Sequence, residues 1–201
     1  MVPTSVAAGI VLVATASARD GRIASAVFAT AAAFLFVVSA LLHRGSWSPR
    51  VEGVLRRIDH SNIYLIIAGT YTPFAVLALP SGQDRTLLTI VWTGAAAGVI
   101  LRAFWLAAPR WLTTVLYVVV GWVAILFLPS LIDGAGVPAV TLIVVGGILY
   151  TLGAVVYAIK RPNPSPDWFG FHEVFHTFTV AAFITHYIAV WIVAHDSGLT
   201  P

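Results

Sequence analysis

The chain has 201 residues, of which 59% are hydrophobic and only 9% charged, with a mean hydropathy of +0.93. A soluble globular chain carries about 25% charged residues, so this composition is that of a protein solvated by lipid. With no cysteine there is no disulfide and no thiolate metal site, and the pI near 9.6 does not signal nucleic acid, because the positive charges fall in short segments between apolar runs.

A helix that crosses the hydrocarbon needs roughly 20 apolar residues. Seven stretches are candidates: residues 2–17, 23–43, 60–79, 86–106, 111–132, 137–159 and 169–194. Transmembrane strands run to only about 10 residues and alternate in polarity. The sequence therefore predicts an all-α integral membrane protein, a single domain over residues 1–201 with seven transmembrane helices. The first stretch is short and has no Arg or Lys before it, so it lacks the positive n-region of a signal peptide. It is expected as a first transmembrane helix, with an upstream piece absent from this chain.

Orientation follows from the connections. One side holds Arg19, Arg22 and Arg85; the other holds Arg44, Arg50, Arg56, Arg57, Arg110, Lys160 and Arg161, with Arg102 near the same level. Eight positive charges against three put the second side, with the N-terminus, in the cytoplasm and the C-terminus outside. A multi-pass protein of the cell (plasma) membrane is expected.

The polar residues can then be ordered by depth. His43 ends the second helix, Asp59 opens the third, and His172 and His176 lie in the first two turns of the seventh, all near the cytoplasmic side. His172 and His176 are spaced i and i+4, so their side chains share one helix face, as do Ser39 and His43. Three neutral imidazoles with one open position fit zinc, which brings a water to ionise near neutral pH. Asp59 could orient that water and take its proton, and Ser39 could hydrogen-bond a developing oxyanion. Each residue also has a plainer reading: His43 as an interfacial residue, Asp59 as a surface ion pair with Arg56 or Arg57, Ser39 as a packing residue.

Other candidates fit less well. HEVFH (residues 172–176) matches the HExxH pattern of zinc proteases, but Glu173 points about 100° away from His172 around the helix. His186 follows His172 by fourteen residues, roughly 21 Å along the axis and too far to share an ion. His60 neighbours Asp59 on a different face, and His195 lies in the exit segment. Trp47, Trp111, Trp168 and Trp191 suit interfacial belts, and Gly146, Gly147 and Gly153 suit close helix packing.

SALLHR (residues 39–44), RRIDHSNIYLIIAGTYTP (56–73) and HEVFHTFTVAAFITHY (172–187) together resemble the three motifs of the hemolysin III family, the bacterial branch of the progestin and adipoQ receptor (PAQR) family. More distantly, the chain is similar to the alkaline ceramidases. The likeness runs from about residue 24 to residue 195. It implies seven transmembrane helices with a cytoplasmic N-terminus and a zinc ion on His43, His172 and His176, with Asp59 and Ser39 serving the water. Members usually begin with an acidic stretch and an Asn/His-containing motif, where this chain starts at MVPTSVAAGI. Four activities are expected to compete: zinc-dependent hydrolysis of a lipid amide or ester, with a membrane lipid as substrate; a receptor-like or regulatory role with structural zinc; cytolysis; and proton or cation transport.

Overall fold

A computed structural model describes residues 1–105, 108–165 and 168–196, apart from the side chain of Arg110. The regular elements among the described residues are all helices, with an isolated bridge between Ser165 and Phe169. The elements are α1 (Val2–Thr15), α2 (Arg19–Arg44), α3 (Pro49–Ala78), α4 (Gln83–Phe104), α5 (Arg110–Gly121), a 3-10 segment (Val123–Phe127), α6 (Leu128–Ile159) and α7 (Phe171–His195). Residue 106, the last of the fourth expected span, and Pro201 lie outside the described residues.

Five helical stretches are long and apolar enough to cross a membrane. One of them, Trp111–Ile159, has 49 residues. Straight, it would reach roughly 70 Å, more than twice the thickness of the hydrocarbon. It does not run straight, because α6 breaks at Gly136, whose φ of 77° and ψ of 159° are not helical. Glycine reaches that positive φ without penalty, and Pro138 resumes the helix with no N–H to lose. The two arms fold back on each other: the Trp122 indole N–H donates to Thr151 Oγ1 at 2.9 Å.

The third helix departs from expectation. It begins at Pro49, not near residue 60, with Ser48 as its N-cap accepting from the Val51 N–H at 3.5 Å. The polar first turns lack the apolar character used to find spans, but the Ser-Pro start is a good helix signal. Asp59 therefore sits inside a helix and does not open one, so its backbone is held by helical hydrogen bonds. α3 is the central helix, packed against α2, α4, α5, α6 and α7, and its second half is almost wholly buried. Small residues permit this. Gly69 lies where a Cβ would come within 2.7 Å of Ala31 Cβ on α2, and Gly9 brings α1 against Ala29 in the same way. Between helices in lipid, close approach of this kind replaces the hydrophobic effect as the source of cohesion.

The register of α2 against α7 positions the site. Phe36 meets Phe183 edge-on, with centroids 5.1 Å apart, and Phe28 stacks on Phe183 at 5.8 Å. Such pairs contribute about 0.5–1.5 kcal/mol each beyond their burial. His43 is seven residues after Phe36, and His176 seven before Phe183. In antiparallel helices an equal two-turn step in opposite directions keeps the same faces opposed. The aromatic contact thus aligns His43 with His176.

Candidate metal centre

The imidazoles of His43, His172 and His176 converge at one end of the bundle. One ring nitrogen from each lies within 4.8 Å of the other two. His172 and His176, one turn apart on α7, bring their Nε2 atoms to 3.0 Å. Their rings are nearly perpendicular with centroids 4.5 Å apart, and the His43 ring stands 5.1 and 5.8 Å from those of His172 and His176. Two nitrogens on one tetrahedral zinc, each about 2.1 Å from it, stand roughly 3.4 Å apart. The spacing within the α7 pair is close to that value, so the donor set fits a divalent cation that prefers imidazole. His43 is exposed, while His172 and His176 are partly buried.

The triad opens into a cavity of about 570 Å³ that runs through the bundle. Ser39, Asp59 and the three histidines are all among its lining residues. The Asp59 side chain is only 19% exposed and forms no ion pair with Arg56 or Arg57. His60 Nδ1 lies 3.9 Å from its Oδ2, and Arg56 instead pairs with Glu52 at the cavity mouth. The surface ion pair is therefore not the arrangement found. Further in, the walls become apolar, with Leu35, Ile66, Phe74, Leu131, Val140 and Ile143 among them.

His60 is a correction. Two adjacent helix residues point about 100° apart, yet both Asp59 and His60 line the cavity. His60 Nδ1 lies 2.7 Å from the Arg56 carbonyl, which can only accept, so Nδ1 carries the proton. Nε2 is then the acceptor for the Tyr157 hydroxyl at 3.2 Å. His186 also lines the cavity, but its Nε2 is bound to the Ile143 carbonyl at 3.1 Å and its ring packs on Gly146, away from the triad. Glu173 caps α7: its Oε2 accepts from the Gly170 N–H at 2.9 Å. It takes no part in the metal cluster, which answers the HExxH match. Trp47 turns back to donate to the Leu41 carbonyl at 2.8 Å, and Trp191 stacks on His195 with centroids 4.0 Å apart. Trp111 and Trp168 are exposed, as interfacial residues would be.

Arg102 is counted in the sequence by sign and side, but its burial is not. It is only 5% exposed and lines the cavity. Among the described residues its Nε has no hydrogen-bond partner and no carboxylate pairs with it. An isolated charge at such depth is costly, which a bare count of positive residues per side cannot register.

A sequence profile described as Haemolysin-III related matches residues 1–187. The chain belongs to that family. It is 35% identical to "Hemolysin-3" of Bacillus cereus over 160 residues, covering 78% of this chain and 73% of that protein. It is 35% identical to "Hemolysin-3 homolog" of Bacillus subtilis (strain 168) over 146 residues, covering 72% and 68%. A human relative, "Monocyte to macrophage differentiation factor", is 26% identical over 161 residues, covering 78% of this chain and 64% of that protein. Family membership and the apolar helices make this hemolysin III-related chain a multi-pass membrane protein.

Proposed function

We propose that this chain is a zinc-dependent hydrolase of a lipid amide or ester in the cell membrane. The observation that carries this reading is the convergence of three imidazoles on a long, largely apolar cavity whose lining also includes Asp59 and Ser39. His43, His172 and His176 would hold the ion. Zinc, when bound, supplies Lewis acidity and lowers the pKa of water toward neutrality. Asp59, on the cavity wall, accepts the proton of the attacking water and passes it to the leaving amine or alcohol. Ser39, one turn before His43 on α2, donates a hydrogen bond to the oxygen on which charge develops. The apolar walls take the acyl chain, and water attacks the carbonyl carbon to leave a fatty acid and an amine or alcohol. Arg102 offers a charge for the carboxylate of that product.

The topology belongs to the same proposal: seven crossings in one unit, counting Val2–Thr15 and the two arms about Gly136, with the arginine-rich side in the cytoplasm. Polar residues gathered at one level favour a reaction site over a pore lining. A second reading keeps the same triad but makes the metal structural, a pin between α2 and α7, which come from opposite ends of the chain.

The test is turnover of a panel of ceramides and acyl esters by the zinc-loaded protein beside His176→Ala. Hydrolysis by the wild type alone supports the hydrolase. Equal rates in both remove it. A melting temperature that collapses in chelator, with no turnover of any member of the panel, favours the structural pin.

A further inference from the structure

The TYTP stretch of α3 (residues 70–73) has no part in the metal chemistry, yet Tyr71 is placed with care. It is buried at 7% exposure and lines the cavity. Its partners lie fifty residues on, in the wall opposite. There α5 ends at Gly121 and a 3-10 segment, Val123–Phe127, replaces it. Trp122 (φ −101°, ψ 7°), just before the segment, and Phe127 (φ −114°, ψ 10°), its last residue, lie outside the helical well.

The break leaves two backbone groups without helical partners. In a continuous α-helix the Ile125 N–H would donate to the Gly121 carbonyl, and the Ala124 N–H to the carbonyl four residues before it. Here the Ile125 N–H turns to the Trp122 carbonyl, three residues back, at 3.1 Å. The Gly121 carbonyl thereby loses its donor. The Tyr71 hydroxyl supplies one at 2.6 Å, and the same oxygen accepts from the Ala124 N–H at 3.0 Å. One side chain repairs both ends of the gap. A buried backbone group left unpaired costs stability, so the bonds to Tyr71 stabilise the break.

The break also shapes the cavity. A 3-10 helix turns about 120° per residue and an α-helix about 100°. Across the five residues Val123–Phe127, closing the break into α-helix would rotate the downstream helix by roughly 100°. Ala124 and Ile125 now line the cavity while Leu126 faces outward, 74% exposed. That rotation would swing a large aliphatic side chain toward the lumen. At Gly121, which lines the cavity, an added Cβ meets no atom within 4 Å.

We propose that Tyr71 is a positioning residue that holds the wall helix open at Gly121–Ala124, and that it thereby sets the length of hydrocarbon chain the cavity admits. The chain-length role rests on the reading of the cavity as the seat of an acyl chain; the clamp itself does not.

The experiment compares wild type, Tyr71→Phe and Gly121→Leu, each purified with its metal. Two quantities are read: affinity for straight-chain fatty acids of eight to twenty carbons, and amide hydrogen exchange at residues 121–127. Tyr71→Phe is expected to bind the longest chains about tenfold more weakly, the loss of roughly two buried methylenes, with the shortest chains within twofold. Exchange at Ala124 rises at least tenfold and metal content is unchanged. Gly121→Leu, which adds bulk to the cavity wall and keeps the backbone carbonyl that Tyr71 donates to, is expected to lose the long chains with unchanged exchange. Unchanged exchange in Tyr71→Phe overturns the clamp, and uniform weakening across all chain lengths overturns the length-setting role. A wild type that takes up no chain of any length removes the acyl-chain reading and the length role with it, while exchange at Ala124 still decides the clamp.

Discussion

Arg102→Met separates the cost of a buried charge from its use. In the wild type the guanidinium is 5% exposed and faces the cavity without an ion-pair partner among the described residues. Replacing buried ionic groups by well-packed apolar ones commonly stabilises by about 1–4 kcal/mol. With about 2 kcal/mol here, and a shift of about 2–4 °C per kcal/mol for a chain of this size, the ligand-free variant should melt about 4–8 °C above wild type. Saturation with a fatty acid reverses the advantage in response. At a hundred times its Kd, the acid adds about 2.7 kcal/mol to the wild type. Loss of a charged hydrogen bond weakens binding about a hundredfold, so the same concentration adds only about 0.4 kcal/mol to the variant. Tryptophan-fluorescence melts of both proteins, with and without palmitate, read all four values. A ligand-free variant that melts at or below wild type, or equal stabilisation of both by palmitate, would refute the assignment of Arg102 as a charge awaiting an acidic ligand.

Two further outcomes are expected at the site. Asp59→Asn keeps the shape and the three imidazoles, so metal content by elemental analysis stays as in wild type while the rate of lipid hydrolysis falls about 10²–10⁴-fold; a rate within threefold of wild type would remove Asp59 from proton transfer. Glu173→Gln weakens the N-terminal cap of α7, costing about 0.5–1 kcal/mol in a chemical or thermal melt, and leaves metal content and turnover as they are; loss of turnover at full metal content would restore the HExxH reading.

The sequence carries the site more fully than the fold. The His172–His176 pair is legible because i, i+4 spacing on an apolar helix leaves little freedom in where the two rings go. His43 is reached by counting crossings and charges, and its register with His176 follows from the Phe36–Phe183 contact, which spacing alone does not announce. The turn at Gly136 lies in a DGAGVP run (residues 133–138) whose Gly and Pro mark it. The start of α3 is misread because its first turns are polar and hydropathy finds only the lipid-embedded part; Ser48 and Pro49 hold the missing signal. His60 and Arg102 escape because a charge count records sign and side but not burial. The break after α5 has only Gly121 as a local sign. Its cause, the hydroxyl of Tyr71, is fifty residues away, and no periodicity of either helix encodes that contact.

The central claim is that His43, His172 and His176 hold one zinc ion. Elemental analysis of the purified wild type beside His172→Ala tests it directly. One zinc per chain in the wild type, lost in the variant at unchanged helicity, is the predicted result. No metal in either protein, or equal metal in both, would contradict it.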